Sequence, residues 1–214
     1  MDRRELEAIS SHCTQEDPPA CQTACPLRVD ARAFLERMAA GDMAGGRKIL
    51  ERAMPLPAIL ARICDHPCET ACPRSRLGGA LAVGALERAC ILAAGAGAKP
   101  LVLPRKAGKA AILGGGLGAL TVAWDLTRKG YAVTLYAAGD APGGNLAVLP
   151  EAVLPAGVLA GEIARLVGLG LRLEIGQRLD AARLEAACRD HGAVYVAAGK
   201  VDALPDFRDG TWIS

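Results

Sequence analysis

Apolar and polar positions follow two different rhythms along the chain. Up to about residue 94 the rhythm is helical. Asp30 can cap a helix in which Phe34, Leu35 and Met38 fall on one face. A second short helix is expected over 47–52, ended by the turn Met54-Pro55-Leu56-Pro57. From Lys109 the rhythm changes. Strands are expected over 110–113, 132–136, 171–175 and 193–197, with helices over 117–129, 158–167 and 184–189. Strands alternating with helices through short loops predict a parallel α/β sheet. Glycine and proline break the periodicity between residues 95 and 108. The expected architecture is thus α + α/β: a helical domain over 1–94, a linker over 95–108 and an α/β domain over 109–214.

Composition narrows the classes of function. With 214 residues and 51% hydrophobic content, the chain can bury a core in one or two domains. A net charge of +2 without a basic block, and only 3% aromatic residues, point away from nucleic acid and anionic membranes. The first residues, Met-Asp-Arg-Arg-Glu-Leu-Glu, carry acids where a secretory signal needs an apolar core. The longest apolar stretch, 110–124, holds three consecutive glycines and is too short to span a bilayer. A soluble, cytoplasmic protein is expected.

Six of the eight cysteines cluster early, and this gives the chain its chemistry. They form Cys13-x7-Cys21-x3-Cys25-Pro and, about forty residues on, Cys64-x3-Cys68-x3-Cys72-Pro. Reducing conditions in the cytosol disfavour disulfides, so metal binding is the better reading. Thiolates are soft ligands, and closely spaced cysteines on turns can converge on iron without a large fold around them. Zinc favours four ligands in a compact knuckle, which neither group supplies. Iron–sulfur clusters lead, with structural thiols and zinc as the alternatives. Cys90 and Cys188 have no motif partners and are expected to be ordinary buried thiols. His12, His66 and His191 are scattered and expected to be structural or exposed.

A second motif opens the α/β part: Gly114-Gly-Gly116-Leu-Gly118-Ala119 lies between an expected strand and an expected helix. Gly114 permits a tight turn, Gly116 lets backbone approach a pyrophosphate, and Ala119 lets helix and sheet pack closely. The free N–H groups at the helix N-terminus suit phosphate. A glycine-rich turn without a ligand is the alternative.

The segment Arg62-Ile-Cys64-Asp-His-Pro-Cys68-Glu-Thr-Ala-Cys72 resembles the signature of the glutamate synthase small-subunit family. The same module is similar to the N-terminal part of dihydropyrimidine dehydrogenase and to the large subunit of flavin-bifurcating ferredoxin–NADP oxidoreductases. The resemblance implies a helical domain with two [4Fe–4S] clusters before an FAD-binding Rossmann-type domain. Carried over by position, one cluster takes Cys25, Cys64, Cys68 and Glu87. Taken alone, Glu87 reads as a solvated helix residue. The other cluster takes Cys13, Cys21, Cys72 and the position of Glu16, where relatives carry cysteine; the alternatives are that Asp17 or water substitutes, or that this cluster is labile or missing. For FAD, the resemblance adds Gly143, Gly144 and Leu146 as a second flavin-contacting segment. It also places Gly199 near the cofactor after a late strand, and Leu179 beside the adenine.

Three departures from the family stand out. The ribose-binding acid that usually ends the second strand is missing, since Tyr136 is followed by Ala137. The arginine-bearing segment after Gly144 is shorter and lacks arginine. Relatives continue into an NAD(P)-binding domain, and no second glycine fingerprint occurs here, so the Rossmann domain is expected to be incomplete. The expected role is an electron-transfer subunit of an oxidoreductase complex. Its partner would be a larger oxidoreductase subunit or a ferredoxin-like carrier. The alternatives are a fragment or half of an NAD(P)H-dependent oxidoreductase, and a docking subunit without flavin.

Overall fold

The computed structural model describes residues 2–10, 12, 13, 17, 19–95, 100–178, 180–197 and 199. The chain divides into two compact units, Met1–Leu101 with Leu149–Glu162, and Val102–Val148 with Ile163–Ser214.

The first unit is helical: α1 (Arg3–Ser10), α2 (Ala20–Ala24), α3 (Ala31–Ala39), α4 (Met43–Ala53), α5 (Pro57–Ile63), α6 (Pro67–Thr70) and α7 (Val83–Ala93). Asp30 caps α3, its Oδ1 accepting from the Ala33 N–H at 3.0 Å, and Phe34, Leu35 and Met38 are buried as the pattern requires. Helix α4 begins four residues before the expected 47–52. Gly45 and Gly46 hide it, because glycine weakens helix propensity. Two features, one a local cap and one tertiary, override that cost. Asp42 Oδ1 accepts from the Gly45 N–H at 2.8 Å, and a side chain at Gly46 would meet Cys90 Sγ at 3.2 Å and Met38 Sδ at 3.3 Å. Gly46 thus lets α4 approach α3 and α7 closely. Arg47 is buried, pairs with Glu51 at 2.9 Å and donates to the Ile91 carbonyl at 3.3 Å, tying α4 to the end of α7. Helices α5 and α6 each open on proline, and the residues before them, Leu56 (φ 50°) and His66 (φ 52°), adopt left-handed backbone. Glu162, buried in the same unit, accepts from the Ala58 N–H at 2.8 Å in the first turn of α5.

The second unit is built on four parallel strands in the order β3-β2-β1-β4, with β1 (Lys109–Leu113), β2 (Ala132–Tyr136), β3 (Arg172–Glu174) and β4 (Ala193–Val196). Its helices are α8 (Leu117–Arg128), α9 (Ala156–Gly168), whose first part belongs to the other unit, and α10 (Ala181–Asp190). Ala110–Leu113 are buried throughout, as a central parallel strand must be. This order is of the Rossmann type and fits the parallel α/β sheet expected from the sequence. Part of the 95–108 stretch is fastened to this sheet domain. Leu103 N donates to the Arg128 carbonyl at 2.8 Å and Lys106 N to the Gly130 carbonyl at 2.9 Å, while 96–99 lie outside the described residues. Asp180 caps α10 by accepting from the Arg183 N–H at 2.8 Å, which starts that helix three residues before the expected 184.

Candidate functional site

In the helical unit the cysteines occupy helix ends and turns. Cys25 ends α2 with its N–H on the Cys21 carbonyl at 3.1 Å; Cys64 ends α5 with its N–H on the Leu60 carbonyl at 3.1 Å. Cys68 lies within α6, and Cys72 leads into a 3-10 turn at Pro73–Leu77. All eight cysteines are free thiols. Cys68 and Cys72 belong to the apolar core, with Cys13, Cys21 and Cys25 packed against it.

Two groups emerge. Cys21 feels Cys13 and Cys72, with burial as the main cause pushing its thiol up. Cys64 is likewise raised by burial, then by the nearby Glu87 and Cys25, against a backbone N–H from His66 at 3.3 Å that favours its thiolate. Burial pushes Cys68 up to about 12, with Glu87, Glu69, Cys64 and Cys25 adding to it. Cys68 also borders the other group, lining a pocket with Cys13, Cys21, Cys72, Arg32 and Leu35. Among the described residues no three His, Cys, Asp or Glu side chains converge as a set for a single metal ion.

Glu87, expected from the family resemblance as a ligand, is not the solvated helix residue that it reads as when taken alone. It is 5% exposed, its Oε2 is buried without a hydrogen-bond partner, and burial, then Glu69, pushes its carboxyl up to about 7. A buried anion without a partner is costly unless a cation meets it. Buried thiols grouped with such a carboxylate suit an iron–sulfur cluster, whose iron would replace their protons. The metal-free chain carries a testable consequence. A carboxyl with its folded pKa raised from 4.5 to about 7 destabilises the fold progressively as pH rises through that window. The full effect is about 3 kcal/mol above pH 7. In denaturant titrations, metal-free Glu87→Gln should gain stability over the parent between pH 4.5 and 7 and hold that gain above. A pH-independent difference would place Glu87 in water.

The remaining thiols and histidines are spread out. Cys90 is buried, donates to the Met43 carbonyl at 3.3 Å and is pushed up to about 11 by burial. Cys188, expected to be buried, is exposed, because Leu184 and Ala187 take the inward positions of α10. His12 is exposed, while His191 packs edge-on to Tyr136 at 6.3 Å. His66 lies against Gly84, where an added Cβ would sit 2.0 Å from its Nε2. Glu16 and Leu179 lie outside the described residues. Asp17 is 87% exposed at its side chain and pairs with Arg32 at 3.6 Å.

In the sheet unit, Gly114 has φ 132° and donates to the Tyr136 carbonyl at 2.9 Å, a conformation that needs glycine. Gly116 opens α8 with an ordinary φ of −75°, and a Cβ there would meet nothing within 4 Å. Neither backbone nor protein packing asks for glycine at that point; a ligand lying close to the helix N-terminus would. The second glycine segment packs on the first. Gly143 N donates to the Gly115 carbonyl at 2.7 Å, and a Cβ on Gly144 (φ 52°) would lie 3.1 Å from Gly116 Cα. Leu146 and Ala119 are buried, and Gly199 (φ 77°) follows β4, where Ala197 N donates to the Leu113 carbonyl at 2.8 Å. Ala137 is 2% exposed, so no carboxylate stands at the ribose position after β2.

Sequence reasoning missed Glu69, Arg32 and Gly115. Glu69 directly follows Cys68, which was its only signal; the other two acquire their roles through tertiary contact.

Comparison with known proteins follows the same division. Residues 1–96 match dihydropyrimidine dehydrogenase domain II, 4Fe-4S cluster, and residues 112–151 match the NAD(P)-binding Rossmann-like domain. The chain is 29% identical over 205 residues to the NADP(+)-dependent formate dehydrogenase subunit beta of Moorella thermoacetica, covering 84% of this chain and 29% of that one. It is 30% identical over 199 residues to the NAD-dependent dihydropyrimidine dehydrogenase subunit PreT of Escherichia coli, covering 89% and 48%. With the NADPH-Fe(3+) oxidoreductase subunit beta of Geobacter sulfurreducens it shares 29% over 194 residues, covering 86% and 29%. The chain therefore spans less than half the length of these relatives. Its two matched segments thus resemble a 4Fe-4S cluster domain of dihydropyrimidine dehydrogenase followed by an NAD(P)-binding Rossmann-like domain.

Proposed function

We propose that the chain is an electron-transfer module of an oxidoreductase complex, carrying two [4Fe–4S] clusters and a dinucleotide, FAD. The observation that carries this reading is the buried, unpartnered Glu87 Oε2 beside Cys64 and Cys68. Cys25, Cys64, Cys68 and Glu87 would hold one cluster. Cys13, Cys21 and Cys72 would hold the other, with Glu16 as the fourth position. Such clusters, when bound, accept and release single electrons, and the protein sets their potential through burial and hydrogen bonds. The His66 N–H on Cys64 Sγ and the low exposure of Cys68 and Cys72 are features of this kind.

The turn at Gly114, Gly116 and Ala119 would take the dinucleotide, with Gly143, Gly144, Leu146 and Gly199 as further contacts and Leu179 added by the family resemblance alone. Backbone N–H groups at the start of α8 suit its phosphates. A bound NAD(P) is the second reading, favoured by the Rossmann-like match over 112–151. Its relatives' names, as subunits of formate dehydrogenase and dihydropyrimidine dehydrogenase, support a larger oxidoreductase partner. Among the described residues no helix is long and apolar enough to cross a membrane.

Ala137 makes the FAD reading quantitative. Losing one charge-assisted hydrogen bond to ribose costs about 1.5–3 kcal/mol, about 10- to 100-fold in affinity. Equilibrium dialysis should show FAD binding that strengthens by about that factor in Ala137→Glu. NAD(P)H binding in place of FAD would favour the second reading, and no nucleotide binding at all would favour a flavin-free docking subunit.

A further inference from the structure

Helix α7 carries Glu87 but does not cap itself. Ala82, at its N-cap position, offers no side-chain acceptor. The first turn is satisfied from another element: Glu69 Oε1 on α6 accepts from the Gly84 N–H at 2.7 Å. Glu69 directly follows Cys68, and Gly84 lies three residues before Glu87, so one hydrogen bond joins the thiol-bearing and carboxylate-bearing helices. The approach is tight. A Cβ on Gly84 would lie 2.0 Å from His66 Nε2, so the His66 ring sits where a side chain would otherwise separate the two helices. An acid at a helix N-terminus is also favoured by the helix dipole, which offsets placing a second carboxylate near Glu87.

We infer that Glu69 is a positioning residue, holding α7 against α6 so that Glu87 meets the same cluster as Cys64 and Cys68. The inference rests on the proposed role of Glu87 as a ligand. Glu69 need not touch iron; it acts through the Gly84 N–H. Outer partners of metal ligands typically contribute about 10- to 100-fold to metal retention.

The test uses the full chain, reconstituted anaerobically with iron and sulfide, in four forms: parent, Glu69→Gln, Glu69→Ala and Glu87→Ala. Three readouts are taken: the electron paramagnetic resonance spectrum of the reduced protein, the rate of iron loss to a chelator, and the far-ultraviolet melt of the metal-free chain. Glutamine keeps an acceptor for the Gly84 N–H, so Glu69→Gln should keep the parent spectrum and iron retention. Glu69→Ala should lose iron about tenfold faster or more, and the same spectral component should change as in Glu87→Ala. Metal-free Glu69→Ala that still melts cooperatively excludes simple unfolding as the cause; if it does not, Glu69→Gln alone decides, and must match the parent. A Glu69→Ala spectrum like the parent's, beside an altered Glu87→Ala, overturns the positioning role and spares Glu87. A Glu69→Gln protein that fails as Glu69→Ala does also overturns it, because charge and not the hydrogen bond would then matter. An unchanged Glu87→Ala spectrum removes the ligand reading and this inference with it.

Discussion

Cys68→Ser should lose at least one of two clusters, leaving about four irons per chain where the parent binds about eight. Cys68 is 8% exposed in the helical core, groups with Cys64, Cys25 and Glu87, and borders the pocket that holds Cys13, Cys21 and Cys72. A serine hydroxyl is a hard, weakly acidic group and a poor substitute for a soft thiolate. The metal's binding free energy is also folding free energy in a small domain, so the helical unit should melt at a lower temperature. Cys188→Ser is the control: that thiol is exposed on α10, and its loss should change neither iron nor melting. Equal iron in parent and Cys68→Ser would take Cys68 out of the ligand set.

Gly116→Ala should weaken dinucleotide binding by about tenfold or more while the sheet unit stays folded. The added methyl enters open space at the start of α8, where no protein atom lies within 4 Å, and occupies the approach to the helix N-terminal N–H groups. Forfeiting even one hydrogen bond to a charged phosphate costs about that much affinity. Alanine at an N-cap position costs the fold about 1 kcal/mol. Gly114→Ala should behave differently, because φ 132° strains any side chain, and its loss of binding should come with a loss of stability. Calorimetric titration with FAD and a melt of each variant separate the two. Unchanged FAD affinity in Gly116→Ala would mean that the turn holds no phosphate.

The legible parts of this chain are those that depend on short-range pattern. The strand at 132–136 is found where it was expected, because alternating β-branched and apolar residues lie between glycine-bearing turns. Asp30 announced α3 for the same local reason. Helix α4 was read short because the signal at Gly45 and Gly46 is one of helix breaking, whereas the reason for Gly46 lies in Cys90 and Met38, far along the chain or on another helix. Glu87 is the sharper case. On its own helix it is one charged residue beside Arg88 and Ala85, and it is the packing of other helices on α7 that leaves it buried with Oε2 unpartnered. Glu69 was invisible as a cap, since its hydrogen bond to Gly84 spans fifteen residues and two helices. The glycine turn was readable as a motif, but the stacking of Gly143 and Gly144 on Gly115 and Gly116 depends on a tertiary contact about thirty residues away.

The central claim is that the cysteine groups bind iron–sulfur clusters. It is tested most directly by metal and acid-labile sulfide analysis of the full chain purified without oxygen. Iron and sulfide are predicted in equal amounts, about eight of each per chain, with zinc at trace level. Stoichiometric zinc without sulfide, or six thiols that all react as free cysteines with no metal bound, would contradict it.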